Sequence, residues 1–470
     1  MEEKDIVIVG GGPAGYVAAI RVSQLGRKAT LIEDDTLGGT CLNRGCIPTR
    51  VLVRGSEFIN MARSAWNYGI NFKDPEVDLA KMIARKDTIV KTVVSGVKLL
   101  LAGNDIEIIN GRGKILSPSQ LEVQTGEGTK KELKAQKVII ATGSVCKKIS
   151  VPGGEGEKVI DSTEALELKE IPKSILIAGG GFIGTSFATI YSRLGANVSI
   201  IEKSPRILPE IDEEIISILE KELKKDKIEV YTEAQISKIE KGEQGEKNIT
   251  VAINGEKTNL TAEYVLIAEE REANIDGLGL NNAGVELNDK NGIFVNSKME
   301  TNVPNIFAAG DVTMQQMWTH VAFAEGLVAA ENALGKDSEI DYSVIPYWTN
   351  TAPEMSSIGT TEEEAVARGY RVRSGRFPLA ANGMATILGQ RTGMIKMITD
   401  EKYGQILGVH AIGPHAADLI AEAALAMKMD ATPEEIRATM HIHPSVSEAL
   451  WETALDVNGE ALHYNMSRSK

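Results

Sequence analysis

Short apolar runs alternate with amphipathic stretches along most of the chain. Asp5-Ile-Val-Ile-Val-Gly10 reads as a buried strand. Gly10 to Gly15 opens a helix running through Leu25, and residues 28–32 form a second apolar run that ends at Glu33. The pattern then returns. Residues 174–178 predict a strand, Gly179-Gly-Gly181-Phe-Ile-Gly184 a turn into a helix, and residues 197–201 a further strand ending at Glu202. Between the two units, helical periodicity over residues 48–102 precedes a strand-rich stretch that closes at Ala141-Thr142-Gly143. After Pro304 another apolar run ends in Gly310-Asp311. From about residue 345 strands alternate and then give way to amphipathic helices at 416–429 and 433–440. Strands interleaved with helices predict an α/β fold with parallel sheets.

Each glycine-rich turn carries a dinucleotide fingerprint in its proper context. Gly10 permits the tight turn, Gly12 lets backbone approach a pyrophosphate, and Gly15 allows close helix–strand packing. Glu33, 18 residues beyond Gly15, is placed to hydrogen-bond a ribose. Gly179, Gly181, Gly184 and Glu202 repeat the set 169 residues after Gly10, so two nucleotide-binding modules are expected. An acidic Glu202 favours an unphosphorylated ribose, hence NAD over NADP.

The 470 residues suit about three domains. The 45 glycines cluster at apolar strand ends, where backbone meets ligand. A net charge of −14 would repel phosphate backbones and anionic membranes, so neither nucleic acid nor membrane is expected as a partner. Three cysteines exclude a disulfide-stapled scaffold. With no basic leader ahead of the first strand and no apolar run of about 18 residues, a cytoplasmic location is expected.

Two of those cysteines lie in Gly38-Gly39-Thr40-Cys41-Leu-Asn-Arg-Gly45-Cys46-Ile-Pro48, at the entry to a helical pattern. A five-residue separation exceeds one helical turn, so bridging them needs a distorted first turn, which Gly45 and Pro48 would supply. A helix N-terminus lowers a thiol pKa and favours the attacking thiolate. Buried structural thiols or a metal pair are the alternatives, but no histidine lies near in sequence and no metal site is expected. Toward the C-terminus, His443-Pro444-Ser-Val-Ser-Glu448 sets a carboxylate five residues after a histidine. Pro444 predicts a helix start with His443 just outside it and Glu448 fixing the imidazole tautomer. A plain helix start with a bystander histidine fits the same spacing.

The whole pattern resembles the pyridine nucleotide–disulfide oxidoreductases, most closely the dihydrolipoamide dehydrogenase (E3) branch. The resemblance runs from Ile6 to about Glu452. It is carried by the first fingerprint, Cys41-Leu-Asn-x-Gly-Cys46-Ile-Pro, Ala141-Thr-Gly143, Gly310-Asp311 and His443-Pro-x-x-Ser-Glu448. It implies two Rossmann-like domains for FAD and NAD and a C-terminal α+β dimerisation domain. The expected boundaries are an FAD domain with its dithiol at 1–149, an NAD-binding-like domain at 150–274, a segment completing the FAD domain at 275–344, and the interface domain at 345–470. FAD would contact Gly10, Gly12, Pro13, Ala14, Gly15, Glu33, Gly39, Thr40, Arg50, Gly113, Ala141, Thr142, Gly143, Gly310, Asp311, Met317 and His320. The NAD-like site would comprise Gly179, Gly181, Gly184, Glu202 and Glu270. Cys41 is implied to be the exposed interchange thiol and Cys46 the one against the flavin. His443, oriented by Glu448, would be the acid–base acting on the cysteines of the other subunit in a homodimer. A lipoyl group or lipoylated protein, within a multienzyme complex, would be the partner.

Departures from the family pattern gather at the nicotinamide side. Arg50 stands for the usual Lys, Ser186 for the Glu that pairs with it, and Glu270 for a glycine after the last NAD strand. Cys146 replaces a proline and reads as a small buried apolar residue. A carboxylate about 4 Å from a phosphate would repel it by about 4 kcal/mol at an effective dielectric of 20. Three readings follow: ordinary NAD-linked E3 chemistry, an intact FAD–dithiol half with an impaired or repurposed NAD site, or a non-catalytic flavin-binding scaffold.

Overall fold

The computed structural model describes residues 1–72, 75–126, 128–243 and 245–464. Its first unit is a parallel sheet. β1 (Glu2–Val9) runs into α1 (Pro13–Gln24) and returns as β2 (Ala29–Glu33), which pairs with β1 in parallel, Ile6 opposite Ala29. The β1 residues Ile6, Val7 and Ile8 are fully buried, as strands covered on both faces must be. Two helices follow, α2 (Gly39–Arg44) and α3 (Cys46–Ser64), and then α4 (Leu79–Gly103). Gly45, at φ −140° and ψ −111°, separates α2 from α3. The break the cysteine spacing demanded thus comes from Gly45, while Pro48 lies buried in the first turn of α3. Residues 48–102, expected as helical, are interrupted by a 3-10 turn at Ala65–Tyr68 that ends on Gly69 with φ 74°, and α4 restarts where the Asp78 side chain accepts the Lys81 N–H.

β3 (Glu107–Ser117), β4 (Gln120–Thr125) and β5 (Lys130–Ile140) are long enough to do two jobs. The early part of β3 extends the parallel sheet beside β2, and the later part of β5 pairs with β1. Their remaining lengths form an antiparallel meander with β4. The strand Ile306–Ala308 then joins β5 in parallel. A second parallel sheet orders the strands Glu229–Tyr231, Asn197–Ile201, Ser174–Ala178, Tyr264–Ile267 and Val159–Asp161, with a three-stranded antiparallel meander over 234–262 beside it. The final unit is a five-stranded antiparallel sheet from Pro346–Thr349 to Ile406–Ile412. It is covered by the helices Ala416–Lys428, Pro433–Ala438 and Glu448–Asp456.

One expectation fails here. Pro444 does not start a helix: the last helix begins at Glu448, four residues on, and the chain from His443 to Ser447 is a turn with a cis His443–Pro444 peptide. The Ser445 N–H instead donates to the Glu448 carboxylate, holding the segment as a turn ahead of the helix. A network of charges centred on the buried Lys396–Asp212 pair joins the start of the helix Glu213–Lys225 to the last sheet. Lys396 bonds Asp212, Glu214 and Glu362, and Arg376 bonds Glu214 and Glu362. Among the described residues no helix is long and apolar enough to cross a membrane.

Candidate active site

The first fingerprint folds as a cradle. Gly10 has φ 105°, and a Cβ there would lie 2.3 Å from the Ala141 carbonyl oxygen. A Cβ on Gly15 would fall 1.8 Å from the Gly10 oxygen, so α1 can approach β1 this closely only through glycine. Gly12 caps α1 without a side-chain bond and Pro13 follows it, leaving the first-turn amides for an anion. Gly39, at φ 57°, brings Thr40 and the start of α2 against Gly12. At the end of β2 the buried Glu33 carboxylate accepts from the Gly11 N–H at 2.7 Å and the Asp35 N–H at 2.9 Å. Burial raises its pKa, against the lowering effect of those amides. Two amides leave about half of its lone-pair sites for further donors, which the vicinal hydroxyls of a ribose fit. FAD therefore fits the residues present.

The other residues expected at this site divide. The Thr142 hydroxyl donates to the Asn274 carbonyl at 2.8 Å, and Gly143, at φ 73°, turns the chain away. Gly310, at φ 81°, donates its N–H to Glu325 at 2.6 Å; Asp311 accepts from Ser144 Oγ at 2.6 Å. A Cβ on Gly310 would come within 3.1 Å of Ala14, placing this turn against the start of α1. Gly113 meets Val9 and Ile32 instead, as a packing glycine within the sheet. Met317 and His320 are exposed beside Trp318.

The second fingerprint is a close copy. A Cβ on Gly184 would lie 1.9 Å from the Gly179 oxygen, and Gly181 caps the helix Phe182–Leu194 with no side-chain bond. The Glu202 carboxylate accepts from the Gly180 and Ser204 amides, each at 2.7 Å, reproducing the Glu33 arrangement. A second dinucleotide such as NAD fits this half as FAD fits the first.

The two cysteines are free. In the chain taken alone Cys41 is buried with the core of the first sheet and Cys46 is exposed. Cys41 lies mid-helix on the inner face of α2, while Cys46 follows the Gly45 break and faces Thr319, its Sγ 3.3 Å from Thr319 Oγ1. A hydrogen bond from Cys41 lowers the Cys46 thiol to about 6, against its desolvation, with a further lowering from Thr319. The same bond, with burial, pushes Cys41 up.

His443 Nδ1 bonds Glu448 Oε1 at 2.8 Å, and the other carboxylate oxygen accepts the Ser445 N–H at 2.9 Å. Partial burial pushes Glu448 up, but that amide and His443 together hold it below the usual carboxylate range. The His443 side chain is 78 % exposed. The structure therefore brings His443 to Glu448 but not to the cysteines of its own chain.

The departures rearrange rather than leave gaps. Ser186 Oγ donates to the Phe182 carbonyl and lies 3.3 Å from Thr349 Oγ1, where the family carboxylate is absent. Arg50 turns instead to Asn350 at 3.2 Å and Glu354 at 3.6 Å, and its guanidinium lies over the Trp348 ring. Glu270 is not a free charge: it bonds Lys203 at 2.8 Å and Lys147 at 2.9 Å, which hold it down at about 2. Cys146 is half-buried rather than an apolar core residue, because the antiparallel pairing of 144–146 with 271–273 sets it opposite Arg271, which donates to its sulfur at 3.3 Å. Sequence reasoning missed Thr319, Glu325, Ser144 and Glu354. Each reaches its partner only through tertiary contact, and Thr319 lies 273 residues from Cys46.

Residues 4–326 match the family model described as pyridine nucleotide-disulphide oxidoreductase, and residues 345–454 match the dimerisation domain of the same group. A dihydrolipoyl dehydrogenase of Thermus scotoductus is 41 % identical over 466 residues, covering 98 % of this chain and 99 % of that one. A dihydrolipoyl dehydrogenase of Bacillus subtilis is 39 % identical, with 98 % and 99 % covered. Among solved structures, the Cu(II) complex of the HOCl-induced flavoprotein disulfide reductase RclA from Escherichia coli superposes with TM-score 0.88 at 28 % identity, covering 97 % of this chain and 99 % of that chain.

Proposed function

The chain belongs to the pyridine nucleotide–disulfide oxidoreductases, FAD-dependent enzymes that exchange electrons with a dithiol–disulfide pair, and on that premise we propose that it oxidises a dihydrolipoyl group for NAD. The observation that carries this reading is the Cys41–Cys46 pair set across the Gly45 break between α2 and α3, beside an intact dinucleotide cradle. FAD, when bound along Gly10, Gly12, Gly15 and Glu33, supplies two-electron transfer between the cysteine pair and NAD. Glu202 and the amides of the second fingerprint would hold the NAD.

The protein's own residues account for the sulfur chemistry. A lipoyl thiolate attacks Cys41 of the oxidised pair, forming one S–S bond as the Cys41–Cys46 bond breaks and Cys46 leaves as thiolate. The second lipoyl thiolate then closes the lipoyl disulfide and releases Cys41, so two electrons rest on the pair. Cys46 suits the leaving role because it is the more acidic sulfur. His443 of the partner subunit takes the substrate protons, returns one to Cys41 as that sulfur is released and passes the other to water, with Glu448 fixing the imidazole. The homodimer supplies that histidine, which fits its exposure on its own chain. The charge of −14 suits a basic docking segment in a lipoyl-bearing complex.

Steady-state NAD reduction by dihydrolipoamide tests the reading. Wild-type protein turns over, and Cys41→Ser and Cys46→Ser each abolish turnover while flavin stays bound. Turnover that survives either substitution would overturn it.

A further inference from the structure

The contact between Thr319 and the redox pair has no role in the chemistry above. Thr319 is the first residue of the helix Thr319–Ala333, whose N-cap, Trp318, contributes no side-chain bond. Its hydroxyl lies 3.3 Å from the Cys46 sulfur. A hydroxyl has one proton to donate, so it can satisfy only one charged sulfur at a time. We propose that Thr319 is a catalytic residue whose Oγ–H donates to the Cys46 thiolate and fixes the negative charge of the reduced pair on that sulfur.

The surroundings explain why a donor matters there. The groups facing the pair are Cys41 from α2, Tyr16 from α1 beside Cys41, and Asp311 from the turn after the strand Ile306–Ala308. Asp311 is an anion and opposes a thiolate on either cysteine. Arg50, one turn along α3, is engaged with Asn350 and Glu354 instead. On the favourable side this chain contributes the Cys41 thiol, the Thr319 hydroxyl and the positive end of the Thr319–Ala333 helix, beside the flavin and the partner's His443 of the proposed mechanism. The step is an acid dissociation. The Cys46 S–H bond breaks, its electron pair stays on sulfur, the proton goes to water, and the Thr319 hydroxyl turns its hydrogen to the sulfur. No electrons change hands.

This inference rests on the disulfide-reductase reading of the site but needs no lipoyl substrate, so the two fail separately. FAD-loaded protein is reduced anaerobically with excess dithiothreitol. The ultraviolet thiolate absorbance and the visible thiolate–flavin band are then titrated against pH, with Cys46→Ser as the blank. Thr319→Val, which keeps shape without a donor, raises the Cys46 midpoint by about one unit, a tenfold loss of thiolate below both midpoints. Thr319→Ser keeps the donor and stays within a few tenths. Thr319→Ala serves as the second donor-free variant if Val impairs folding, with the same upward shift expected. A wild-type midpoint in the donor-free variants, or a Ser midpoint displaced as far as theirs, overturns the proposal.

Discussion

Replacing Glu270 with glycine isolates the question of the nicotinamide site. Taken alone, a carboxylate about 4 Å from a dinucleotide phosphate costs about 4 kcal/mol at an effective dielectric of 20, close to a thousandfold in affinity. The structure changes that sum. Lys147 and Lys203 sit 2.9 and 2.8 Å from the two Glu270 oxygens, so the three side chains carry a net charge of +1, one acid against two bases. All three are about half exposed, where each ion pair is worth roughly 0.2–1 kcal/mol and is screened by salt. Removing Glu270 frees the two ammonium groups at the mouth of the second fingerprint. NADH affinity measured by titration calorimetry therefore tightens by no more than about tenfold, and the gain shrinks with added salt. A tightening of a hundredfold or more would show that Glu270 acts as an unpaired repulsive charge, and a weakened affinity would remove the lysines from the argument.

Three further outcomes follow from the same coordinates. Arg376 above all, together with Lys396, holds Glu214 down at about 2 against its partial burial. Its contribution is therefore complete above pH 4.5 and lost as the pH falls toward 2; Glu214→Gln loses roughly 1 kcal/mol of stability at neutral pH, after solvent screening, but none near pH 2, as read by urea midpoints. Gly184→Ala forces a Cβ to 1.9 Å from the Gly179 oxygen, so NADH binding is lost while flavin content, set by the first cradle, stays within error. Glu448→Ala leaves the His443 tautomer unfixed and lowers dihydrolipoamide turnover by about 10²-fold or more, with FAD absorbance unchanged; an undiminished rate would make the pair a bystander.

Much of this architecture is legible in the order of residues because its signals are local. The two glycine fingerprints, each ending in an acid, come from strand, turn and helix adjacent in sequence, and Glu33 and Glu202 close them against the Gly11 and Gly180 amides. Gly45 is likewise a local signal for the break between α2 and α3. Contacts made across the fold were not legible. Nothing near Glu270 in sequence announces Lys147 or Lys203, which lie 123 and 67 residues away, so its charge read as unpaired. The carboxylate lost at Ser186 hid the one gained at Glu354, because a partner for Arg50 comes from the last sheet, 304 residues on.

The most direct test of the central claim mixes anaerobic, FAD-loaded protein separately with dihydrolipoamide and with NADH in a stopped-flow instrument, following flavin absorbance. Because the dithiol pair and both ribose cradles are formed, both donors reduce the protein rapidly. Rapid reduction by dihydrolipoamide alone would contradict NAD as the electron partner, and reduction by neither would contradict the dehydrogenase reading altogether.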